Sequence, residues 1–241
     1  MKKFLAGLVS LALVFAVCFS FAACGKGHRD LEGKTFVLED VQLYFSSVQK
    51  NRENTEEDWT ISYGISSCYV LDYCKMQVVD AYNATPEGLE NPITSDQLTT
   101  EQLKEVQERF DYLTLGSTEE NKHVSTISFK DGKMYVEDAY TITYQDGSTT
   151  SYKTINVYDY QMKDGVVVLT QTVDGNTIEY KDAVRLYNND RLSINNVGLI
   201  SINYTNIWTV RQNFITNNTT NTELYESSVN YFATTAVYKA V

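Results

Sequence analysis

Hydrophobic and polar residues alternate through most of the second half of the chain, in short segments separated by polar turns. Four Asp-Gly pairs mark these turns, at 131–132, 146–147, 164–165 and 174–175. Asp-Gly between alternating segments is the strongest short signal for a hairpin, because the tight turn requires positive φ angles. The pattern therefore predicts consecutive antiparallel strands, each paired with the strand before it.

The segments between these turns are rich in Val, Ile, Thr and Tyr, which favour strands. A first strand is predicted over residues 34–45, and the last two over 199–215 and 229–239. Together the segments give about eight or nine strands. A meander of this size loses its exposed edges by closing on itself, so we expect a mainly β fold, an antiparallel up-and-down barrel of about eight strands.

Residues 46–121 interrupt this pattern. Thr99 and Gln102 have the spacing of a capping box, which predicts a helix over about 99–112. Residues 59–82 are apolar but fit a helix or a strand equally well. Apolar residues recur at helical spacing within the predicted helix, at Leu103, Val106, Phe110 and Leu113. We expect a partly helical insertion that packs on the barrel, because its own core is too small to fold alone.

The first 24 residues have the order of a secretory signal peptide, in which two lysines precede an uncharged apolar run. The run ends in Ala22-Ala23-Cys24, which resembles the lipobox of bacterial lipoproteins. In that family a small residue precedes an invariant cysteine, which receives the lipid and becomes the new N-terminus. The resemblance implies that acyl chains on Cys24 anchor the protein in the cell membrane, on its extracytoplasmic face.

These features divide the chain into a signal peptide over residues 1–23, a flexible tether over 24–32 and a single β domain over 33–241. Two other interpretations of the N-terminal end stay open. Cleavage after Ala22 would release a secreted protein, and an uncleaved run of about 20 apolar residues is long enough to span a membrane. All three interpretations place the domain outside the cytoplasmic membrane.

Gly33-Lys34-Thr35-Phe36 opens the first predicted strand, where lipocalins carry a Gly-x-Trp signature. With the lipobox, the tether and the meander, this segment makes the chain similar to the lipocalin-like lipoproteins of Gram-positive bacteria. The resemblance implies an eight-stranded barrel whose mouth holds a small hydrophobic ligand.

Tyrosines that face the barrel would suit such a pocket, since each offers a flat apolar wall and a hydroxyl group. Tyrosines on outward positions are equally typical of exposed strand faces. The best candidates for ligand binding are Tyr140, Tyr144, Tyr158 and Tyr160.

The chain has 20 Lys and Arg against 31 Asp and Glu, a formal net charge of −11. This charge repels phosphate backbones and argues against a nucleic-acid partner. The sequence contains no nucleophile elbow, phosphate loop, dinucleotide fingerprint or zinc-protease motif. His123 is expected at the surface, and the spacing of histidines and cysteines predicts no metal site. We therefore expect no catalytic residues, no cofactor and no metal.

Cys68 and Cys74 lie six residues apart. In an extended strand this separation is about 20 Å, too far for a disulfide. Two free thiols are therefore expected, although a turn between the cysteines would allow a bridge.

Two functional hypotheses follow. In the first, the protein is a membrane-anchored, non-catalytic lipoprotein that binds a small hydrophobic ligand or a surface partner. In the second, it is a structural or interaction lipoprotein with a packed barrel and no ligand. The size of the inward-facing side chains distinguishes them. A carboxylate-dependent hydrolase is a third, less favoured class, and it would require two carboxylates within about 5–10 Å in a cleft.

Overall fold

The computed structural model describes residues 31–52, 59–163, 166–188, 190–195, 197–217, 220–221 and 225–241. The predicted signal peptide, Cys24 and the turn at Asp164-Gly165 lie outside these residues. The elements are, in chain order, β1 (Thr35–Arg52), β2 (Trp59–Tyr69), α1 (Val70–Asn83), α2 (Pro86–Glu90), α3 (Thr100–Leu115), β3 (Asn121–Lys130), β4 (Lys133–Thr143), β5 (Thr149–Lys163), β6 (Val166–Val173), β7 (Asn176–Asn188), β8 (Arg191–Ile194), a single 3-10 turn (Val197–Leu199), α4 (Tyr204–Asn217), β9 (Thr220–Asn221) and β10 (Tyr225–Ala240).

Eight strands form a closed antiparallel barrel in the order β1-β3-β4-β5-β6-β7-β8-β10, and β10 pairs back with β1. The predicted fold is thereby confirmed: the protein is mainly β, an up-and-down barrel with a helical insertion after the first strand. β2 lies beside the second half of β1, from Gln42 to Arg52, and the short β9 adds to β10.

Two of the predicted Asp-Gly turns show the backbone geometry that the sequence requires. Asp131 and Asp174 have φ angles of 53° and 51°, and the glycines that follow have φ angles of 72° and 79°. Consecutive residues with positive φ match the twist of two paired strands, and glycine adopts this conformation without a steric penalty. These turns join β3 to β4 and β6 to β7.

The prediction of a strand over residues 199–215 is wrong, because most of this segment forms the helix α4. Asn203 caps the helix, since its side-chain oxygen accepts a hydrogen bond from the backbone of Asn206 at 3.2 Å. Ile207 and Val210 are buried at helical spacing. Burial of this stripe outweighs the strand preference of the β-branched residues around it.

The insertion contains the predicted helix, which runs from Thr100 to Leu115 as α3. The capping box of Thr99 and Gln102 is present, and Gly116 ends the helix with a φ angle of 72°. The ambiguous apolar segment resolves into β2 followed by α1. The first turn of α1 is capped from β1, because the Asp40 carboxylate accepts the backbone N–H of Leu71 at 3.0 Å.

The inward positions of the barrel carry large side chains that pack against one another. The ring of Phe129 lies edge-on to those of Phe36 and Tyr160, with centroids 5.9 and 5.0 Å apart. Tyr238 is fully buried, and its hydroxyl lies 3.2 Å from Ser125 Oγ. The barrel interior is therefore a packed core.

Short segments close both ends of the barrel. At one end Leu31 is completely buried, and the backbone N–H of Gly33 donates to the carbonyl of Phe129 at 2.8 Å. At the other end Leu199, Ile200 and Ile202 are buried. They belong to the segment 199–203, which leads from the 3-10 turn into α4.

Candidate functional site

A cleft of about 540 Å³ lies outside the barrel, between α1, α3 and the loop that leads from α3 to β3. Tyr73, Cys74 and Gln77 line it from α1, and Arg109 and Tyr112 line it from α3. The volume falls within the range of small-molecule sites.

Complementary apolar stripes bring the two helices together. Cys74 and Val78 are buried on α1, and Val106 and Phe110 are buried on α3. Because each pair is spaced by four residues, it forms one face of its helix. The cleft lies beside this contact, because the buried Cys74 also belongs to its lining.

Acidic side chains dominate the charge of the cleft. Glu105 is paired, because Arg109 donates to its carboxylate at 2.7 Å. Burial raises the pKa of Asp111, although a hydrogen bond from Gln107 lowers it. The charged lining residues are Glu105, Glu108, Asp111 and Glu119 against Arg109 and Lys122. The excess of carboxylates disfavours an anionic ligand.

The buried Cys74 contributes an apolar surface to the cleft. Burial raises the pKa of its thiol to about 12, so the thiol stays protonated at neutral pH. A protonated thiol is a poor nucleophile. Cys68 and Cys74 are both free, as the sequence predicted, and Cys68 is only partly buried.

A second feature, which we call the His123 cluster, lies where α3, β3, β4 and the segment 199–203 meet. It comprises His123, Asp138 and Ser201 with their hydrogen-bond partners. His123 is 8% exposed, so the expectation of a surface histidine is wrong. Its Nδ1 lies 2.9 Å from the carbonyl oxygen of Leu115, and its Nε2 lies 3.1 Å from Oδ1 of Asp138.

Both ring nitrogens of His123 face acceptors, so both donate hydrogen bonds only when the ring is an imidazolium. Burial lowers the pKa of His123, but the hydrogen bonds to Asp138 and to the carbonyl of Leu115 outweigh it and raise the pKa above its ordinary value. Tyr140 stacks on the ring at a centroid distance of 4.2 Å.

Asp138 is the counter-ion of His123 and is 1% exposed. The Ser201 hydroxyl donates to its second oxygen, Oδ2, at 2.7 Å. Burial raises the pKa of Asp138, but hydrogen bonds from His123, Ser201 and Ser125 outweigh burial and lower it. The carboxylate therefore stays charged, and its charge favours the protonated form of His123.

The His123 cluster contains the residue types of a serine hydrolase, but its connections differ. Nucleophilic catalysis requires a hydroxyl that donates a hydrogen bond to the unprotonated ring nitrogen of a neutral histidine. Here Ser201 is bonded to Asp138, and both nitrogens of His123 are engaged. The cluster is therefore suited to tie α3 and the segment 199–203 to the barrel, and it lacks a free base.

The His123–Asp138 pair predicts how stability depends on pH. Because the pKa of folded His123 is raised, its contribution is complete below the unfolded value of about 6.5 and is lost as the pH rises through the folded value. Urea titrations at several pH values should show the stability difference between wild type and His123→Gln shrinking above pH 6.5. A difference that stays constant up to pH 9 would contradict the assigned imidazolium. Lys122→Gln, at the exposed neighbouring position, serves as the control.

The four tyrosines predicted from the sequence do not form one group. Tyr158 and Tyr160 are buried inside the barrel, with exposed fractions of 5% and 2%. Tyr140 stacks between His123 and Tyr152, and Tyr144 is 50% exposed beyond the end of β4. They are absent from the lining of the cleft. Their proposed role in ligand binding stays a prediction.

Sequence reasoning missed the cleft because it lies between two helices, and only α3 is clearly predicted by the sequence.

Among the residues that the structure describes, no group of three or more His, Cys, Asp and Glu side chains is arranged to hold a metal ion. Within the same residues, no helix combines the length and the apolar character needed to cross a bilayer.

Comparison with protein-family models, with curated proteins and with solved structures gives no match to this chain.

Proposed function

We propose that the protein is a non-catalytic lipoprotein, anchored through Cys24 on the extracytoplasmic face of the cell membrane, that binds a small ligand in the cleft between α1 and α3. One observation carries the location of the site: the barrel interior is filled, whereas the cleft outside it is open. Fully buried Phe36, Phe129 and Met134 occupy inward positions of the barrel. The barrel then acts as a rigid support for the helices.

The position of the chain's N-terminal side supports this arrangement. Leu31 follows Cys24 by seven residues. It lies at the end of the barrel that holds the turn between β3 and β4, because Gly33 is hydrogen-bonded to Phe129. The loop from α3 enters β3 at the opposite end, at Asn121. An anchor at Cys24 therefore leaves the cleft facing away from the membrane.

The lining of the cleft favours a ligand with an apolar body and a neutral or cationic polar group. Tyr73 and Tyr112 provide flat apolar walls, and the protonated Cys74 adds a further apolar contact. The excess of carboxylates disfavours an anionic molecule.

The packed interior also supports the second function, an interaction lipoprotein without a small ligand. In that case the helical surface contacts a partner protein directly, and the isolated chain binds no small apolar molecule.

Binding of the uncharged dye Nile red to the mature protein tests the proposed site. Gln77→Trp places a large side chain in the cleft and should weaken binding by about tenfold, equivalent to about 1.4 kcal/mol. Gln161→Trp, at an exposed position of β5, should leave binding unchanged. Fluorescence titration measures both. If the dye fails to bind, or binds both variants alike, the ligand function is wrong and the interaction function is favoured.

Mass spectrometry of the protein purified from membranes tests the anchor separately. The expected N-terminal residue is Cys24, with a mass increase equal to its acyl chains. An unmodified chain that still begins at Met1 would contradict lipidation.

A further inference from the structure

The first part of β5 has an open edge. β5 pairs with β4 from Thr149 to Asp159, but it pairs with β6 only from Asp159 to Lys163. Within the described part of the chain, residues 149–158 therefore pair on one side only. Residues 149–157 are all exposed. We call residues 149–157 the open edge.

The hydrogen-bonding pattern identifies the backbone groups that face outward. The N–H of Tyr160 donates to the carbonyl of Gly132, towards β4, at 3.2 Å. In an antiparallel ladder the bonding direction alternates with each residue. Even-numbered residues of β5 therefore bond to β4, and odd-numbered residues direct their N–H and C=O groups away from it. At the open edge the outward groups belong to Thr149, Ser151, Lys153, Ile155 and Val157.

Natural proteins protect exposed edges with proline, several charges, bulges or short strands. The open edge contains no proline and one charged residue, Lys153, which is already paired with Glu137 at 3.0 Å. Its outer face exposes Ile155 and Val157 by 45% and 37%. An unprotected edge of this kind is a template for another strand.

We propose that the open edge is an interface at which β5 pairs antiparallel with β5 of a second copy of this chain. A two-fold axis through Thr154 aligns Lys153 with Ile155 of the partner copy, and Ser151 with its Val157. Every residue in these pairs is odd-numbered, so each strand supplies outward donors and acceptors to the other.

The charges on the edge favour this register. Lys153 faces an isoleucine and not the lysine of the partner copy, so the pairing avoids directly opposed like charges.

The overall charge of the chain also favours this edge as the contact between copies. Each copy carries a net charge of −11, whereas the open edge carries only the lysine charge. Two copies therefore meet with less repulsion here than on their acidic surfaces. The inference is independent of the cleft, which lies on other elements.

Cysteine cross-linking of the mature protein in mild detergent tests the pairing. Thr154→Cys places a thiol on the proposed axis, where directly opposite Cβ atoms lie about 4.5–5.5 Å apart. Oxidation with copper phenanthroline should join two copies through a disulfide, seen as a doubled mass on a non-reducing gel. The matched control is Thr150→Cys, whose thiols would be about 26 Å apart in this register. The wild type reports any cross-linking through Cys68 and Cys74.

A proline variant tests whether the backbone edge mediates the contact. Ile155→Pro removes an outward N–H and leaves the ladder with β4 intact, so it should abolish cross-linking of Thr154→Cys. Ile155→Thr keeps the N–H and should retain cross-linking. The proposal is overturned if Thr154→Cys cross-links no more than Thr150→Cys. It is also overturned if the folded proline variant, checked by circular dichroism, cross-links as before. The comparison of the two cysteine variants is decisive even if the proline variant does not fold.

Discussion

Asp138→Ala should lower the free energy of unfolding by about 3–5 kcal/mol, because it removes the hydrogen-bond and charge partner of the buried His123 ring. His123 and Asp138 are 8% and 1% exposed, so water cannot replace the lost partner. The Ser201 hydroxyl also loses its acceptor. Urea unfolding of the mature protein at pH 6, where the pair is intact, measures the change.

Two comparisons isolate the pair from the general effect of losing a carboxylate. Asp159 forms an exposed ion pair with Lys133 at 2.6 Å, and Asp159→Ala should change the stability far less. His123→Leu with Asp138→Leu should recover much of the loss, since replacing both charges leaves neither one unpaired. Equal effects of Asp138→Ala and Asp159→Ala would contradict a buried ion pair.

Phe129→Ala should lower the free energy of unfolding by about 3–5 kcal/mol, because it opens a cavity in the close-packed interior of the barrel. The side chain is fully buried between Phe36 and Tyr160. Thermal and urea unfolding both measure this loss.

The same variant bears on the proposed function. Phe129→Leu keeps most of the volume and should cost less than half as much as Phe129→Ala. A cost below about 1 kcal/mol for Phe129→Ala would indicate that the ring borders an existing cavity. The barrel interior would then again be a candidate ligand site. The main argument for placing the ligand in the cleft would be lost.

The parts of the fold that follow from local rules could be read from the sequence. The turns at Asp131 and Asp174 need positive φ angles, and an Asp-Gly pair supplies them with little help from the rest of the chain. The capping box of Thr99 is equally local, because both partners lie within one helical turn. Together these signals place the hairpins and α3.

Features that depend on distant partners were not accessible in this way. His123 is buried beside Asp138 of β4, which in turn accepts a hydrogen bond from Ser201, and no local sequence pattern connects these three residues. The β-branched residues of α4 favour a strand, but the burial of Ile207 and Val210 stabilises a helix instead. The cleft requires α1, whose apolar segment fits both states.

The length of β1 has a mechanical consequence. The strand runs from Thr35 to Arg52, and it pairs with β10 from Phe36 to Asn51. A pull on the N-terminal side of the domain acts along this strand and shears its many hydrogen bonds together, whereas unzipping would break them one after another. Tension applied through Leu31 therefore acts on the ladder with β10, the longest among the described residues, before it reaches the helices.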